Sequence, residues 1–451
     1  MAAALSYVTE PARQVSVSGE YDVVVLGGGP AGIAAAASAA RNGRKTLLVE
    51  RYGFLGGMGT AAGVTNFCGL HANVHGEIKQ VVHGIADDVL ARIAALGGLN
   101  EPHLIFGKTC AQAYDTAAYK CAADELLLAA GAELQFHALA AGVSMAAPDR
   151  IGALLIETKS GRRAIRGDVF IDCSGDGDLA AFSGAAFEQG DAQGNMLYPT
   201  MMFRVNGVDA QAAGDAWRSI PELMARAERR GAQFPRKGGM VRPQKHSVEW
   251  RVNVTQVKNA QGRAVDGIDA IELSYGEIEG RRQALAFFKF LRREVPGFSQ
   301  AYIVDIPPQL GIRETRRITG RYQLTADDVL CCASFSDTIG VNGWPIENHV
   351  AGDVEWRWPD IPGSRGFNHL PYRMLVPNGF RNLLIAGRCA SMTHESQSAA
   401  RVSGSCFVMG QAAGTAAHVS LASGKDCMDI VVNELQTLLE RDGAYLGRDV
   451  A

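Results

Sequence analysis

The sequence lacks the patterns that mark several common classes of protein. Its nine cysteines are scattered and none forms a Cys-x-x-Cys pair, which argues against both a zinc ribbon and a disulfide reductase. We therefore expect no metal site, and free thiols that fit a reducing cytoplasm. Lys and Arg together number 44 against 47 Asp and Glu, so the chain has no basic excess for nucleic acid or for an anionic membrane surface.

Long apolar stretches are missing as well. No run of the sequence approaches the roughly 18 apolar residues that a membrane-spanning helix needs, so we expect no membrane association. The segment before Tyr21 has Arg13 as its single basic residue and no long apolar core. Residues 1–20 are therefore expected to form a partly flexible extension rather than a secretory signal. With 47% hydrophobic and 20% charged residues, the chain has the composition of a globular enzyme and the length of two connected domains.

The most informative feature that is present is a glycine-rich turn between two apolar strands. A strand at 23–26 leads into Gly27-x-Gly29-x-x-Gly32, a small-residue helix follows, and a second strand ends on Glu50. Gly27 allows the tight turn, Gly29 lets the backbone approach a pyrophosphate, and Gly32 lets helix and strand pack closely. The helix N-terminus offers N–H groups to the phosphates, and Glu50 can accept hydrogen bonds from ribose hydroxyls. This unit predicts a bound dinucleotide.

Glycine-rich segments and short apolar strands recur later in the chain. A second glycine-rich loop covers residues 56–63, and a buried strand at 169–172 ends in a small acidic turn. Another buried strand at 382–388 ends in glycine and precedes a Gly/Ala-rich helix at 404–417. We therefore predict an α/β fold in which a Rossmann-like dinucleotide-binding domain is discontinuous. Its parts are residues 21–195 and 366–451, the latter with the C-terminal helix, and an α+β substrate or cap domain is inserted at 196–365.

Periodicity predicts further elements. Apolar residues on one face indicate a helix over 111–130. Alternation at 201–205 and at 248–254 indicates strands of a sheet. Residues 271–293 form a long amphipathic pattern that is typical of a surface helix.

Several motifs, taken together and in order, are similar to those of a known family. They are Gly27-Gly28-Gly29-Pro30-Ala31-Gly32, Glu50-Arg51, Gly56-Gly57-Met58-Gly59-Thr60, Ile171-Asp172-Cys173-Ser174-Gly175-Asp176-Gly177-Asp178, Gly311-Ile312-Arg313-Glu314-Thr315-Arg316-Arg317, Leu370-Pro371-Tyr372-Arg373, 383–388, His394-Glu395, Arg401 and Gly410-Gln411-Ala412-Ala413-Gly414. Over about residues 20–420 the chain resembles the FAD-dependent oxidoreductases of the glutathione-reductase type, in the branch related to fumarate reductase and aspartate oxidase. The resemblance implies FAD, which we expect to be bound non-covalently.

The same motifs imply which residues contact the cofactor. The adenosine end takes the first glycine loop and the acid after the second strand, and later elements build the flavin end. N–H donors at the start of the helix after Arg401 would stabilise the reduced, anionic flavin. The residues predicted to bind FAD are Gly27, Gly29, Pro30, Ala31, Gly32, Glu50, Arg51, Gly57, Met58, Gly59, Ala140, Ser174, Gly175, Gly387, Arg388, Gly404 and Ser405.

Two candidate catalytic residues follow from their position in the chain. Hydride transfer at flavin N5 needs a group that exchanges a proton and a cation that holds an anionic or enolising group. His394 and Arg401 lie between the strand and the helix that flank the flavin. A structural histidine is the alternative for His394, and a salt bridge to Glu395 or Asp176 is the alternative for Arg401.

Three more candidates lie in or beside the insert. Arg313 and Arg316 would share one face of a helix and could hold one carboxylate; an ion-pair network with Glu314 and Asp327-Asp328 is the alternative. Tyr372 could position or protonate a substrate, or it could pack in the core. His349 is a further catalytic candidate.

These features predict an FAD-dependent oxidoreductase that transfers hydride between a small organic substrate and the flavin at the domain interface. Because no second complete Gly-x-Gly-x-x-Gly unit exists, we expect no NAD(P)H domain; oxygen, a quinone or a carrier protein would exchange electrons with the flavin. A flavin monooxygenase is one alternative, although Arg388 follows Gly387 where the Gly-Asp of such enzymes would stand. A non-catalytic flavin-binding protein is another, and a homo-oligomer is compatible with each.

Overall fold

The structure is a computed structural model that describes residues 8–450. Its strands, in chain order, are β1 (Val17–Leu26), β2 (Thr46–Val49), β3 (Asn66–Cys68), β4 (His71–Val74), β5 (Glu77–Gln80), β6 (His103–Ile105), β7 (Thr109–Ala113), β8 (Glu133–Gln135), β9 (Leu139–Ala147), β10 (Arg150–Thr158), β11 (Gly161–Asp172), β12 (Phe187–Glu188), β13 (Phe203–Asn206), β14 (Met240–Pro243), β15 (Trp250–Asn253), β16 (Tyr302–Asp305), β17 (Arg317–Ile318), β18 (Thr338–Asn342), β19 (Ile346–Asn348), β20 (Glu355–Arg357), β21 (Asn368–Pro371) and β22 (Leu383–Ile385).

The helices complete the set of elements. They are α1 (Pro30–Arg41), α2 (Met58–Ala61), α3 (Ile85–Ala95), α4 (Thr116–Ala130), α5 (Asp178–Phe182), α6 (Ala210–Ala213), α7 (Ala216–Glu228), α8 (Ala270–Glu294), α9 (Ala326–Leu330), α10 (His394–Ala400), α11 (Ser403–Ser423) and α12 (Val432–Arg441), with short 3-10 turns at Tyr372–Leu375 and Cys427–Asp429.

A mixed sheet forms the centre of the molecule, with strand order β8-β2-β1-β11-β10-β9 and β22 paired with β11. The strands β8, β2, β1, β11 and β22 run parallel, whereas β10 runs antiparallel to the first half of β11 and β9 runs antiparallel to β10. Residues 23–26 of β1 are buried on both faces, as their apolar composition predicts. Because the strands are parallel, their carboxyl ends meet at one edge of the sheet, where Gly27, Glu50 and Cys173 follow them.

Two helices rich in small residues, α1 and α11, pack against each other in the core that also holds this sheet. At Gly410 and Gly414 of α11, an added Cβ would overlap the backbone of Ala31 and Ala35 in α1. This close approach therefore requires glycine at both positions. It ties the helix that begins at the glycine loop to a helix from the last part of the chain.

The insert has a core of its own. The antiparallel sheet β14-β15-β13-β16 packs with α7 and α8 around large side chains that include Trp250 and Phe298. This core draws its residues from 201–312, whereas the core residues between 324 and 346 pack with α1 and α11. Residues of the second half of the predicted insert therefore belong, by their packing, to the side of the main sheet. The domain limits at 196 and 365 themselves stay a prediction.

Two of the predicted helices have different outcomes. The pattern at 271–293 is confirmed by α8. The helix predicted over 111–130 is wrong in its first turn, because residues 109–113 form β7 and α4 begins only after Asp115. The Asp115 side chain accepts a hydrogen bond from the N–H of Ala118 at 2.9 Å, which caps the helix at that point.

The N-terminal region differs in part from the predicted extension. The strand β1 begins at Val17, which pairs with Ala164, so residues 17–20 belong to the main sheet. The start of the predicted extension, residues 1–7, lies outside the described residues. Within residues 8–450 no helix combines the length and the apolar character needed to cross a bilayer.

Candidate active site

A cavity of about 1040 Å³ is lined by residues of both cores. We call its two parts the glycine end and the arginine end. The glycine end is formed by residues 27–31, 50–52, 57–59, 173–175 and 387–388. The arginine end is formed by residues 66–68, 103–107, 236–240, Arg242, Arg251, Asn253, 311–313, Trp344, Glu347, His349 and 353–356 without Glu355. The volume is at the upper limit of the range of about 300–1000 Å³ found for sites of drug-sized ligands.

The glycine loop leaves free space where a side chain would stand. Gly27 has φ of 98°, a conformation that favours glycine. A Cβ added to Gly29 would meet only the Cα of Gly57, at 3.7 Å, among the described atoms. Gly29 is the N-cap of α1, no side chain of the described residues caps that end, and Pro30 occupies the first turn. The loop therefore presents unpaired N–H groups and open space to the cavity, as a phosphate requires.

Glu50 ties the glycine loop to the end of β2. It is only 5% exposed, and its carboxylate accepts hydrogen bonds from the N–H of Gly28 at 2.6 Å and from the N–H of Tyr52 at 2.9 Å. Burial raises the pKa of Glu50, while these two donors oppose the shift. Because each carboxylate oxygen has two lone pairs, Glu50 can still accept a ribose hydroxyl, as predicted.

A buried carboxylate lies beside the same end of the cavity. Asp176 accepts hydrogen bonds from Arg388 Nη2 at 2.8 Å and from Thr315 Oγ1 at 2.9 Å, and its other oxygen lies 3.5 Å from Arg51 Nη1. Burial alone would raise the pKa of Asp176, but Arg388 and Arg51 hold it below its ordinary value. Asp176 thus fixes two predicted cofactor residues in place.

Most of the residues predicted to bind FAD line the cavity. These are Gly27, Gly29, Pro30, Ala31, Glu50, Arg51, Gly57, Met58, Gly59, Ser174, Gly175, Gly387 and Arg388. Gly32, Ala140, Gly404 and Ser405 are absent from the described residues that line it. Gly32 and Gly404 instead let the backbone of α1 and α11 approach Gly27 and Gly69.

The other two exceptions also have structural partners. Ala140 pairs with Ile156 between β9 and β10. Ser405 donates its hydroxyl hydrogen bond to Asn342 Oδ1 at 2.8 Å. Near Ser405 in sequence, Val402 and Ser403 line the cavity at the start of α11. No side chain of residues 8–450 caps this end of the helix.

The free polar groups of the cavity fit FAD. Two uncapped helix N-termini, of α1 and α11, reach the cavity, and such ends favour phosphate and an anionic flavin edge. Burial raises the pKa of the Cys68 thiol to about 12, so this lining residue stays a neutral thiol, in line with a cofactor that is not covalently attached.

Arg401 is the candidate whose buried donors lack partners among the described residues. It lines the cavity, and its Nε and Nη2 are buried without a hydrogen-bond partner among residues 8–450. The two carboxylates considered as its alternatives are engaged elsewhere, Glu395 with Arg357 at 3.0 Å and Asp176 with Arg388 at 2.8 Å. A buried guanidinium with open donors needs an anionic or polar ligand.

His349 and Glu347 form a second candidate pair. His349 Nε2 lies 3.1 Å from Glu347 Oε1, and Trp344 Nε1 donates to the other oxygen of Glu347 at 3.0 Å. Burial and then the nearby Arg313 lower the pKa of His349 to about 3. Burial would raise the pKa of Glu347, but His349, Arg401 and Arg313 lower it to about 2. We therefore assign an ionised Glu347 that accepts Nε2–H of a neutral His349.

Arg313 also lines the cavity but is not helical. Its Nε donates to the carbonyl of Tyr198 at 2.9 Å and its Nη2 to Thr200 Oγ1 at 2.8 Å. The prediction that it shares a helical face with Arg316 is wrong, because residues 313–316 form no helix. Instead, Arg316 Nη1 binds Asp178 Oδ1 at 2.9 Å.

The alternative, an ion-pair network of Arg313 and Arg316 with Glu314 and Asp327-Asp328, is not found among the described residues, because Glu314 has other partners. Glu314 is fully buried and pairs with Arg317 and with His394, whose Nδ1 lies 2.9 Å from Glu314 Oε2. His394 is absent from the described cavity lining. The structure supports the structural alternative for His394, which holds a buried carboxylate.

Tyr372 has no place in the site. Its side chain is buried, and its hydroxyl donates to the carbonyl of Cys427 at 2.6 Å, outside the described lining of the cavity. The structure therefore contradicts the catalytic role considered for Tyr372 and supports packing in the core.

Sequence reasoning missed several charged residues of the arginine end. They are Glu347, Arg236, Arg242, Arg251 and His103. The sequence offered one signal for this end, since Arg251 stands between Trp250 and Val252 in a predicted strand. Charged side chains are rarely buried unless a partner or a ligand compensates them, so Arg251 could have been predicted as a binding residue.

No cluster of His, Cys, Asp and Glu within residues 8–450 could hold a metal ion. Among solved structures, the fold is similar to that of a geranylgeranyl bacteriochlorophyll reductase-like protein from Thermoplasma acidophilum (14% identity, TM-score 0.46, 94% of this chain and 83% of that one). It is also similar to p-nitrophenol 4-monooxygenase from Pseudomonas putida (12%, 0.44, 94% and 81%) and to CabE, an aromatic hydroxylase from angucycline biosynthesis (13%, 0.47, 93% and 65%).

A comparison with curated proteins gives no significant match. The sequence model of one family, described as FAD dependent oxidoreductase, matches residues 22–439. This match covers nearly the whole chain and includes the glycine loop, Glu50, the Asp176 turn and the start of α11. The protein is therefore an FAD-binding enzyme that belongs to the FAD-dependent oxidoreductase family.

Proposed function

We propose that this oxidoreductase transfers hydride between flavin N5 and a small organic substrate that binds at the arginine end. The observation that supports this is a single cavity that joins the glycine end, which fits FAD, to a chamber whose buried polar groups have open hydrogen-bonding positions. Bound FAD supplies the hydride acceptor or donor. The chain supplies the proton exchange, the charge and the orientation of the substrate.

His349 is the residue that we assign to the proton. With Nε2–H donated to Glu347, the neutral ring carries its lone pair on Nδ1. His349 lines the cavity and Glu347 fixes its tautomer, so Nδ1 is placed to exchange a proton with the substrate. Because its pKa is lowered to about 3, the ring is a weak base that returns the proton readily. Glu347 orients the ring and would stabilise the imidazolium that forms.

Arg401 is the residue that we assign to negative charge. Its open donors are already desolvated, so their hydrogen bonds to a developing oxyanion would be strong and would need no reorganisation. Arg401 interacts with charges of both ends of the cavity, Arg388 at one and Glu347 at the other. This position suits a group that stabilises charge where cofactor and substrate meet.

The first test is spectroscopic. The purified protein should be yellow, with the absorbance bands of oxidised flavin, and a folded but colourless protein would contradict the assignment. Under anaerobic conditions, a substrate should bleach the flavin without any other electron donor. A monooxygenase would instead require a donor and would incorporate labelled oxygen. Reoxidation of the bleached protein by oxygen, a quinone or a carrier protein would identify the electron acceptor.

The second test is a pair of variants. His349→Ala and Arg401→Ala should each slow anaerobic flavin reduction by at least about 100-fold while the protein stays yellow. His246→Ala is the matched control because His246 is exposed and outside the described cavity lining. Reduction rates that stay unchanged in both variants would remove these residues from the mechanism.

A further inference from the structure

The arginine end carries more positive than negative charge. The basic side chains among its residues are Arg236, Lys237, Arg242, Arg251 and Arg313, against the acids Glu347 and Asp353. None of these four arginines forms a direct ion pair within the described part of the chain, and Glu347 acts on Arg236, Arg251 and Arg313 only at longer range. The cations of this end therefore outnumber its acids.

Arg251 is the most constrained of these arginines. It is 6% exposed, its Nη1 donates to the carbonyl of Val64 at 2.6 Å, and its Nε has no partner among the described residues. The bond to a neutral carbonyl fixes the orientation of the guanidinium but does not compensate its charge. Burial disfavours the charged form and lowers the pKa of Arg251.

Arg236 repeats this arrangement nearby. It is 9% exposed, its Nη2 donates to the carbonyl of Asn253 at 2.6 Å, and its Nε also has no partner among residues 8–450. Asn253 follows Arg251 by two positions on β15, so both point to the same face of that strand. The Oδ1 of Asn253 is itself buried and unpaired among the described residues. Arg236 and Arg251 are thus both fixed by backbone carbonyls, and both line the arginine end beside β15.

His103 reports the electrostatic potential at this place. It lines the cavity, its Nε2 has no partner in the described chain, and burial together with Arg242 and Arg251 lowers its pKa to about 4. Burial is the largest cause of this shift, and the two arginines add to it, so His103 is a neutral residue beside two cations. An isolated buried charge is costly unless a ligand compensates it.

We infer that the arginine end binds the oxyanion group of an organic acid, with Arg251 and Arg236 as the donors. This inference rests on the proposed function, since it names the substrate class of the same site. A carboxylate and a phosphate both match the planar donor fork of arginine. The aromatic side chains of Phe67, Trp344 and Trp356 line the same end and offer apolar surface to the carbon skeleton.

Three ligands of one shape test the inference on the FAD-loaded protein. Benzoate, phenyl phosphate and neutral benzamide are titrated while the flavin absorbance and the heat of binding are recorded. We expect at least one anion to bind at least about tenfold more tightly than benzamide, since charge-assisted hydrogen bonds are the stronger ones. A preference for benzoate identifies a carboxylate, and a preference for phenyl phosphate identifies a phosphate. No preference for either anion refutes the inference.

Two independent variants locate the anion. Arg251→Met and Arg236→Met keep most of the side-chain volume, and each should weaken binding of the preferred anion at least about tenfold with benzamide unchanged. Arg282→Met is the control, because the Arg282 side chain is 75% exposed on α8. Anion binding that is unaffected in whichever of the two variants folds, as judged by circular dichroism, refutes the inference. Loss of FAD from the folded variants would assign these arginines to the cofactor and also refute it.

The same experiment separates this inference from the proposed function. A yellow protein that a substrate bleaches, but that shows no anion preference, refutes the inference alone. A protein that binds the anions through Arg251 and Arg236, but that no organic substrate bleaches, refutes the proposed function alone.

Discussion

The two ends of the cavity treat their charged groups in opposite ways. At the glycine end, Glu50 accepts two backbone N–H groups and Asp176 pairs with Arg388 and Arg51, so the charges satisfy one another. At the arginine end, Arg251, Arg236 and Arg313 bind only neutral carbonyls and a hydroxyl, and the Nε of Arg251 and of Arg236 has no partner among the described residues. The charged side chains of the cofactor end are thus fixed by one another, and its open donors are backbone N–H groups, whereas the open donors of the arginine end are on charged side chains.

The largest expected effect tests whether FAD binding needs the space that Gly29 leaves open. Gly29→Val should reduce FAD affinity more than about 100-fold, because the new side chain would occupy the space beside the N-terminus of α1. The fold should persist, since the Cβ itself meets no close described atom. FAD content by absorbance and secondary structure by circular dichroism check both statements. Gly152→Ala, in β10 and outside the described lining, is the control, and an FAD-saturated Gly29→Val protein would contradict the assignment.

The next effect tests the paired charges of the glycine end. Asp176→Asn removes the negative charge that compensates the positive charges of Arg388 and Arg51. Breaking such a buried ion pair should lower the free energy of unfolding by roughly 3–5 kcal/mol. Thermal unfolding of the FAD-loaded protein measures the loss. Asp442→Asn, in an ion pair with Arg441 near the surface, should change stability by less than about 1 kcal/mol. Equal effects of the two substitutions would show that the ion pairs of Asp176 contribute no more to stability than a surface ion pair.

A smaller effect concerns pH at the arginine end. The pKa of His349 is lowered to about 3, so its neutral, proton-accepting form persists in acid and is lost only as the pH falls through that value. The rate of flavin reduction at saturating substrate should therefore not fall near pH 6.5. Arg313→Met should move the acid limb upward, because the positive neighbour that depresses this pKa is removed. An acid limb near pH 6.5 in the unmodified protein would show that His349 is not held neutral.

The smallest effect is expected at the surface. Arg357 and Glu395 form an ion pair in which both side chains are 45% exposed. Arg357→Ala should change stability by less than about 1 kcal/mol and leave FAD content and the reduction rate unchanged. A clear loss of activity would extend the arginine end to this exposed pair.

The glycine end was predictable because its contacts with a cofactor depend on backbone conformation, which local sequence patterns indicate. The turn at Gly27, the close approach at Gly29 and the acid at Glu50 occupy fixed spacings within one βαβ unit, so short-range patterns reveal them. The fold class and FAD follow from the same residues. Gly404 was predicted to bind FAD, but it is absent from the described cavity lining and instead allows α11 to approach Gly69.

The arginine end was less predictable because its contacts join distant parts of the chain. The spacing of Arg313 and Arg316 suggested one helical face, yet Arg313 reaches back to Tyr198 while Arg316 binds Asp178. Tyr372 has a residue type that suits catalysis, and only its burial shows otherwise. Local patterns cannot reveal which long-range partner a polar side chain finds.

The packing of α11 on α1 has a consequence for how the enzyme is made. The glycine loop is translated well before α11, yet the start of α11 lines the same cavity. The cofactor pocket can therefore be closed only after α11 has been synthesised. A nascent chain interrupted within the insert would display the glycine loop without retaining FAD, so that yellow colour would report that α11 has been made and packed.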